Sequence, residues 1–421
     1  MKKELNKYLT VLKTRNILLL TIISFMYSLT FHNVIYTLFL RERGFSFTQI
    51  FLLETALSMA IFVFEIPSGY LADLFGRKKA ILLATCCYLV GILLQAMSFN
   101  YMAFIIAAVI SGMGIASISG ADSALVYESL AKDNKKEFSD YAFSLISGAF
   151  SAALVIALPL GGFLAQYSFT LPLYITCIPL ATAPIIALFL VETSDVKGKS
   201  KTTDAKNNVN DDPVRVSFID TLKFLVIKQP LLIILSVLNS LSFVIILSLY
   251  YLNQPLFINY GIDLKYFGII MLAANFICMF MSFISPSLKR KLNSATVMFI
   301  SILIPGFCLL VLSKVGIPFI GLFALIGALS FIALGTPLMR TLMNEYIPDD
   351  NRATTLSVIG FVGSVVGMST KPLIGKLVDL DLSNTFFILG ILMIVIAIGM
   401  YLVLKKLQNT VADQSKNSSV A

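Results

Sequence analysis

The chain has no tryptophan, a single histidine and little charge. Of its 421 residues 13% are charged and 57% hydrophobic, whereas soluble domains carry about 25% charged residues. The shortage excludes an ordinary soluble enzyme, and the apolar excess excludes disorder, collagen and disulfide-stapled secreted scaffolds. Its cysteines, Cys86, Cys87, Cys177, Cys278 and Cys308, lie in apolar runs and form no C-x-x-C. A zinc site needs about four clustered nitrogen or sulfur ligands, and His32 is the only histidine to offer. No metal and no cofactor is expected, and the cysteines read as reduced, small hydrophobes. A P-loop is also missing, which argues against direct use of ATP.

What the chain has is apolar runs long enough to cross about 30 Å of hydrocarbon as helix. Twelve can be read, at approximately 17–40, 46–69, 79–99, 102–126, 141–165, 170–191, 229–252, 264–287, 294–313, 317–340, 353–376 and 384–404. The predicted fold is all-α and integral to a membrane. The first run is too long for a signal-peptide core, and no cleavage pattern follows it, so it is expected to stay as an anchor. Basic residues orient the spans. Of the 32 Lys and Arg, the outer segments hold only Arg41, Arg43, Lys265, Lys314, Lys371 and Lys376. The positive-inside rule then places both termini in the cytoplasm. It also assigns the net charge of +9 to topology and anionic lipid, not to nucleic acid.

The expected organisation is a cytoplasmic segment 1–16, a six-helix bundle 17–191, a cytoplasmic linker 192–228, a second bundle 229–404 and a tail 405–421. The linker has no apolar periodicity until Ser217 and Asp220, a capping box opening an amphipathic helix, Phe218 to Lys228. The tail is polar and expected to be without structure. Six spans on each side of a central loop predict two pseudo-symmetric repeats with a site between them at mid-membrane.

The most specific local signal is GYLADLFGRKK at residues 69–79. Gly69 and Gly76 permit a tight cytoplasmic turn. Asp73 gains nothing from the positive-inside rule there and needs a partner. The run resembles the G-x-L-x-D-x-x-G-R-K loop between spans 2 and 3 of the major facilitator superfamily, and with twelve spans the resemblance covers nearly the whole chain. The preceding Phe64-Glu65-Ile66-Pro67-Ser68 is similar to one branch of its bacterial transporters. The resemblance implies two rocking six-helix bundles and a cytoplasmic gate formed by Gly69, Asp73, Gly76, Arg77 and Lys78. In that gate Asp73 would meet the start of span 11 at Thr354 or Thr355, where a helix N-terminus carries about +0.5 charge, and Arg77 would bridge to Glu128. The plainer alternative leaves Arg77 and its lysines fixing topology only.

Two features depart from the family pattern. Ala108 stands where a span-4 arginine tied to proton coupling is common, and the span-5 antiporter pattern survives only as Leu158-Pro159-Leu160-Gly161-Gly162. In the second half, Lys289-Arg290-Lys291 lacks the acid and glycines, so one copy of the gate is expected.

Charged residues inside spans cost about 2.5–3.5 kcal/mol on insertion scales and mark function. The acids within the spans are Glu54, Glu65 and Asp122, all in the first half, where proton coupling is therefore expected. His32 and Glu54 fall at matching depth on antiparallel neighbours at about 1.5 Å per residue. They are candidates for a titrating pair; the alternative is a structural histidine bonded to Asn33 or a backbone carbonyl. Glu65 is expected to support the gate. Asp122 reads equally as a proton acceptor or as the partner of a cytoplasmic arginine. Tyr27, Asn33 and Tyr36 on span 1, Asn239, Tyr250 and Gln254 on span 7 and Asn275 on span 8 are the candidate cavity residues, suited to an amphiphilic molecule.

The expected function is proton-linked export of an amphiphilic drug or metabolite from a bacterial inner membrane, by a monomer whose partners are its substrate, protons and the bilayer. Uptake by proton symport is the alternative. A membrane transferase is a remote third, with only Asp349 and Asp350 to offer as an acidic pair.

Overall fold

A lipid core offers no water to an open backbone, so a spanning segment satisfies its own N–H and C=O groups as helix. In a computed structural model of the chain, which describes residues 2–193, 223, 225–227, 229–314, 316–347 and 352–418, all regular structure among the described residues is helical. The capping box at Ser217 and most of the linker lie outside the described residues, as do Asp349 and Asp350. The first half holds α1 (Lys2–Leu12), α2 (Arg15–Ser28), a 3₁₀ turn (Phe31–Val34), α3 (Tyr36–Glu42), α4 (Phe47–Phe75) and α5 (Arg77–Met97). After them come α6 (Tyr101–Ile118), α7 (Ala121–Lys132), α8 (Ser139–Leu164) and α9 (Leu171–Ala187). The second half holds α10 (Pro230–Asn259), α11 (Leu264–Lys291), α12 (Ser294–Leu312), α13 (Pro318–Tyr346), α14 (Arg352–Leu380) and α15 (Leu382–Ser418).

Among the described residues eleven stretches are long and apolar enough to cross a membrane, and α9, at 17 residues, is a shorter apolar helix in the sixth place. The chain is a multi-pass membrane protein. Burial repeats along it. Of the apolar 18-residue stretch in each span, 22% and 17% of residues are buried in Phe47–Phe75 and Lys136–Leu164 in the first half, and 22% in each of Leu264–Lys291 and Thr354–Leu380 in the second. These are the second and fifth spans of each series of six, so the two halves repeat one plan.

Several expected boundaries need correction. Span 1 is not continuous: it breaks after Ser28, and the Phe31 N–H leaves the helix ladder to donate to the Thr176 hydroxyl on α9 at 3.1 Å. Span 4 breaks at Ser119-Gly120, where Gly120 takes φ +86°, a conformation that costs glycine nothing. Span 6 stops early because Asn16 on α2 takes over the backbone of Val191, donating to its carbonyl at 2.8 Å and accepting from its N–H at 2.9 Å. The expected unstructured tail continues α15 to Ser418. It contains neither glycine nor proline, so a helix nucleated in the membrane propagates through it at little cost.

Two compact units divide the chain. One is Met1–Phe45, Leu53–Asp212 and Asp263–Leu272; the other is Ser46–Leu52, Pro213–Ile262 and Ala273–Ala421. Each thus includes a short helix start that lies between segments of the other. In the first unit, α11 enters beside α8, where a Cβ on Gly268 would stand 1.8 Å from the Leu158 carbonyl oxygen. A Cβ on Gly161 would stand 2.0 Å from that of Phe31. The Leu158–Gly162 run is therefore where α8 lets the broken first span and the start of α11 approach its backbone. In the second unit, Asp379 at the end of α14 caps the start of α4. Its carboxylate accepts from the N–H groups of Phe47 at 2.7 Å and Thr48 at 2.8 Å, and from the Thr48 hydroxyl at 2.6 Å.

Candidate functional site

The α4–α5 corner gathers most of the gate candidates. Gly69 lies inside α4, and nothing would stand within 4 Å of a Cβ there. The expectation that two glycines make the turn is thus corrected: Gly76 alone makes it, at φ +98°. Arg77 opens α5. Its guanidinium reaches Asp73, one turn back, at 2.5 Å and Glu128 on α7 at 3.5 Å. Glu128 is held by the Thr193 hydroxyl at 2.6 Å.

Glu192 is the residue sequence reasoning missed at this corner. Its carboxylate accepts from the backbone N–H groups of Arg77 and Lys78, both at 3.1 Å. Lys78 therefore enters the site through its main chain. An acid on the free N–H groups of a helix start gains both hydrogen bonds and dipole stabilisation. Asn16 makes this possible, because its two bonds to Val191 deliver the next residue over α5. The space is tight: a Cβ on Gly76 would lie 2.1 Å from a Glu192 carboxylate oxygen. An acid directly after the sixth span was the available signal.

A second cluster surrounds the break in span 1. His32 is buried, and its Nδ1 stands 3.2 Å from the Thr176 hydroxyl. That hydroxyl gives its one proton to the Pro172 carbonyl at 2.7 Å and accepts from the Phe31 N–H. A hydroxyl has one donor and two acceptor sites, so Nδ1 of His32 carries the hydrogen and Nε2 is the open acceptor. The histidine is locked onto α9, and among the described residues it has no hydrogen bond or ion pair with Glu54. The expected titrating pair is thus corrected. Glu54 lies instead in the electrostatic neighbourhood of Tyr36 and Tyr88. Tyr36 donates to Gln95 at 2.8 Å, and Tyr27 stacks on Tyr88 with ring centres 4.5 Å apart. The Tyr27 hydroxyl is buried without a hydrogen-bond partner among the described residues. Gln95, Tyr88 and Thr176 were not anticipated, since each is fixed by a contact between distant spans.

The remaining candidates scatter. Asn33 donates to the Thr30 hydroxyl at 2.6 Å. Asp122 sits in the first turn of α7 and accepts from the N–H of Ser123 at 2.5 Å, and among the described residues it has no ion pair with an arginine. Glu65 is exposed, and among the described residues no bond ties it to the gate corner. In the second half Asn239 lines a cavity, whereas Gln254 is buried, Asn275 half-buried and Tyr250 about a third exposed; none of these three lines it.

The second-half counterpart of the gate corner also needs correction. Lys289 at the end of α11 pairs with Glu345 at the end of α13 at 3.0 Å, the same relation that Arg77 has to Glu128. Asn293 caps α12 through the Ala295 N–H at 3.0 Å and exchanges hydrogen bonds with Gln408, on α15, at 3.1 and 2.9 Å. A second, weaker corner survives without the glycines or the loop acid.

Comparison with known proteins agrees with this architecture. A family model described as Major Facilitator Superfamily matches residues 18–372. An uncharacterized transporter of Buchnera aphidicola subsp. Schizaphis graminum is 28% identical over 133 residues, which span 31% of this chain and 32% of that relative. Among solved structures, a mutant of the nucleoside transporter NupG superposes with a TM-score of 0.76 at 14% identity, covering 92% of this chain and 99% of its own. A D-xylose-proton symporter gives 0.68 at 14% identity over 93% and 97%. A bacterial homolog of the human lysosomal transporter Spinster gives 0.69 at 15% over 96% and 98%. At such identities the likeness is one of fold.

Proposed function

This chain belongs to the major facilitator superfamily, a family of transporters and not of enzymes, and we propose that it moves an amphiphilic small molecule across a bacterial inner membrane by alternating access, coupled to protons and in the direction of export. The observation that carries the reading is the break in span 1 beside Glu54. A discontinuous helix frees backbone groups at membrane depth, and transporters place their sites at such breaks. An acid inside a span is functional by default. Glu54, in the electrostatic neighbourhood of Tyr36 and Tyr88, which in turn contact Gln95 and Tyr27, supplies a proton-carrying group near aromatic walls. In this reading His32 holds the break on α9 and Glu54 carries the proton, with Asp122 and Glu65 as secondary candidates. The α4–α5 corner is the cytoplasmic gate, with Asp73 leaving Arg77 for the start of span 11 in one state.

Uptake by symport is the second reading, supported by the D-xylose-proton symporter among the similar folds. Everted vesicles separate the two. Under an inside-acid gradient an exporter accumulates a fluorescent amphiphilic dye, and Glu54→Gln abolishes the accumulation. Uptake confined to right-side-out vesicles would replace export by symport. Gradient-driven accumulation that survives Glu54→Gln would remove that residue from the coupling.

A further inference from the structure

The second unit contains a cavity of about 400 Å³ between α10, α12, α13 and the start of α14, within the ~300–1,000 Å³ range of small-molecule sites. It lies wholly inside that unit and uses none of the residues around the broken first span. One wall is apolar, with Phe243, Met298, Ile302, Met339, Met343 and Leu356. The other is polar, and its donors can be sorted. The hydroxyls of Ser236, Ser301 and Thr336 spend their protons on the helix carbonyls of Leu232, Met298 and Ile332, at 2.8, 2.8 and 3.0 Å. They face the cavity as acceptors only. Free donors come from Asn239, whose side-chain amide has no hydrogen bond among the described residues, from Ser240, and from Arg340.

Arg340 is the one charged residue among the seventeen that line the cavity, and no acid stands among them. Glu345, five residues on along α13, is turned to Lys289 at 3.0 Å and is absent from the lining. Among the described residues Arg340 has no ion-pair partner. A guanidinium at the rim of a site with acid-free walls favours an anion, and its planar fork matches carboxylate and phosphate oxygens.

We infer that this cavity is a binding site for an anionic amphiphile, a carboxylate or phosphate head on Arg340 and Asn239 with an alkyl body against the methionines and Phe243. The shared chemistry has two sources, a free amphiphilic anion or the headgroup of an anionic lipid.

The lack of tryptophan makes the test clean, because Phe243→Trp installs the sole indole of the chain in the cavity wall. Purified protein in detergent is titrated with decanoate, decyl phosphate and decyltrimethylammonium. The expected result is a saturable fluorescence change with both anions at least tenfold tighter than with the cation, a preference lost in Arg340→Gln and kept in part in Arg340→Lys. Radiolabelled decanoate bound to the otherwise unchanged chain, read by scintillation proximity, checks the ratio without the reporter. Nanodiscs then separate the sources. Phosphatidylglycerol that displaces decanoate where phosphatidylcholine does not identifies the lipid headgroup, and displacement by neither identifies the free anion. Equal affinity for anion and cation would overturn the site, as would an Arg340→Gln variant that elutes as folded monomer and still prefers decanoate. Transport enters none of these readouts, so they stand or fall apart from the direction and coupling proposed above.

Discussion

Two corners of this molecule do the same structural job with different chemistry. Where α4 meets α5, an arginine reaches an acid at the end of the fourth span, and Glu192, just past the sixth span, caps the next helix start. Where α11 meets α12, a lysine reaches an acid at the end of the tenth span, and Gln408, on the twelfth, joins the Asn293 cap. The first corner caps its helix with a carboxylate and half-buries the Arg77–Glu128 pair, though Asp73 stays exposed; the second reduces the cap to neutral amides, and its Lys289–Glu345 pair is more exposed than Arg77–Glu128. Charge-assisted hydrogen bonds are about twice as strong as neutral ones, while exposed ion pairs contribute about 0–1 kcal/mol. The comparison teaches that a repeat can persist in geometry after its sequence signature has gone, with the strong version kept where switching is proposed.

The contrast breaks hardest at Gly76. Gly76→Ala forces a side chain into φ +98° and against the Glu192 carboxylate. Left-handed strain of about 1–3 kcal/mol adds to loss of the cap, and thermal unfolding followed by circular dichroism in detergent should show a drop of several degrees. A Gly76→Ala protein as stable as the parent would mean that Glu192 does not sit on α5. Next comes Arg77→Ala, which leaves Asp73 and Glu128 without their shared cation at a cost of about 1 kcal/mol, since Asp73 is largely exposed and solvent screens it. Dye transport in everted vesicles should fall further in this variant than in Lys289→Ala, and equal losses would deny the first corner its gating role. Glu192→Ala should cost about 1 kcal/mol as a lost cap, whereas Gln408→Ala, on an exposed pair, should stay within about 0.5 kcal/mol. The smallest effect belongs to Lys289→Ala, below about 1 kcal/mol and shrinking as salt is raised. Insensitivity to salt would show that the second corner is more than a surface pair.

Local signals were readable before any fold was known. Gly76, Asp73, Arg77 and Glu128 lie within two neighbouring turns or on adjoining spans, and the resemblance of the loop to the family motif implied the corner. Gly69 misled because a glycine in a motif says nothing of whether a turn or a helix contains it. His32 and Glu54 matched in depth, yet depth is one coordinate of three. The side chain turned to Thr176, which is 144 residues away. The Lys289–Glu345 pair, 56 residues apart, was hidden because lysine after a span reads first as topology. Arg340, at the end of the tenth apolar run, reads as a topology charge in the same way, although α13 runs on to Tyr346 and the residue lines a cavity.

From the residues came the membrane class, the order of the apolar runs, and the loop whose resemblance points to the family. These depend on hydrophobic length and on backbone self-satisfaction, which are properties of a segment by itself. Only the tertiary structure decided where spans break, which nitrogen of His32 holds its proton, that Glu192 caps α5 and that Arg340 borders a cavity. Each of these turns on which distant group completes a hydrogen bond or lines a space. Helical periodicity specifies a direction around one axis and leaves the neighbour unnamed.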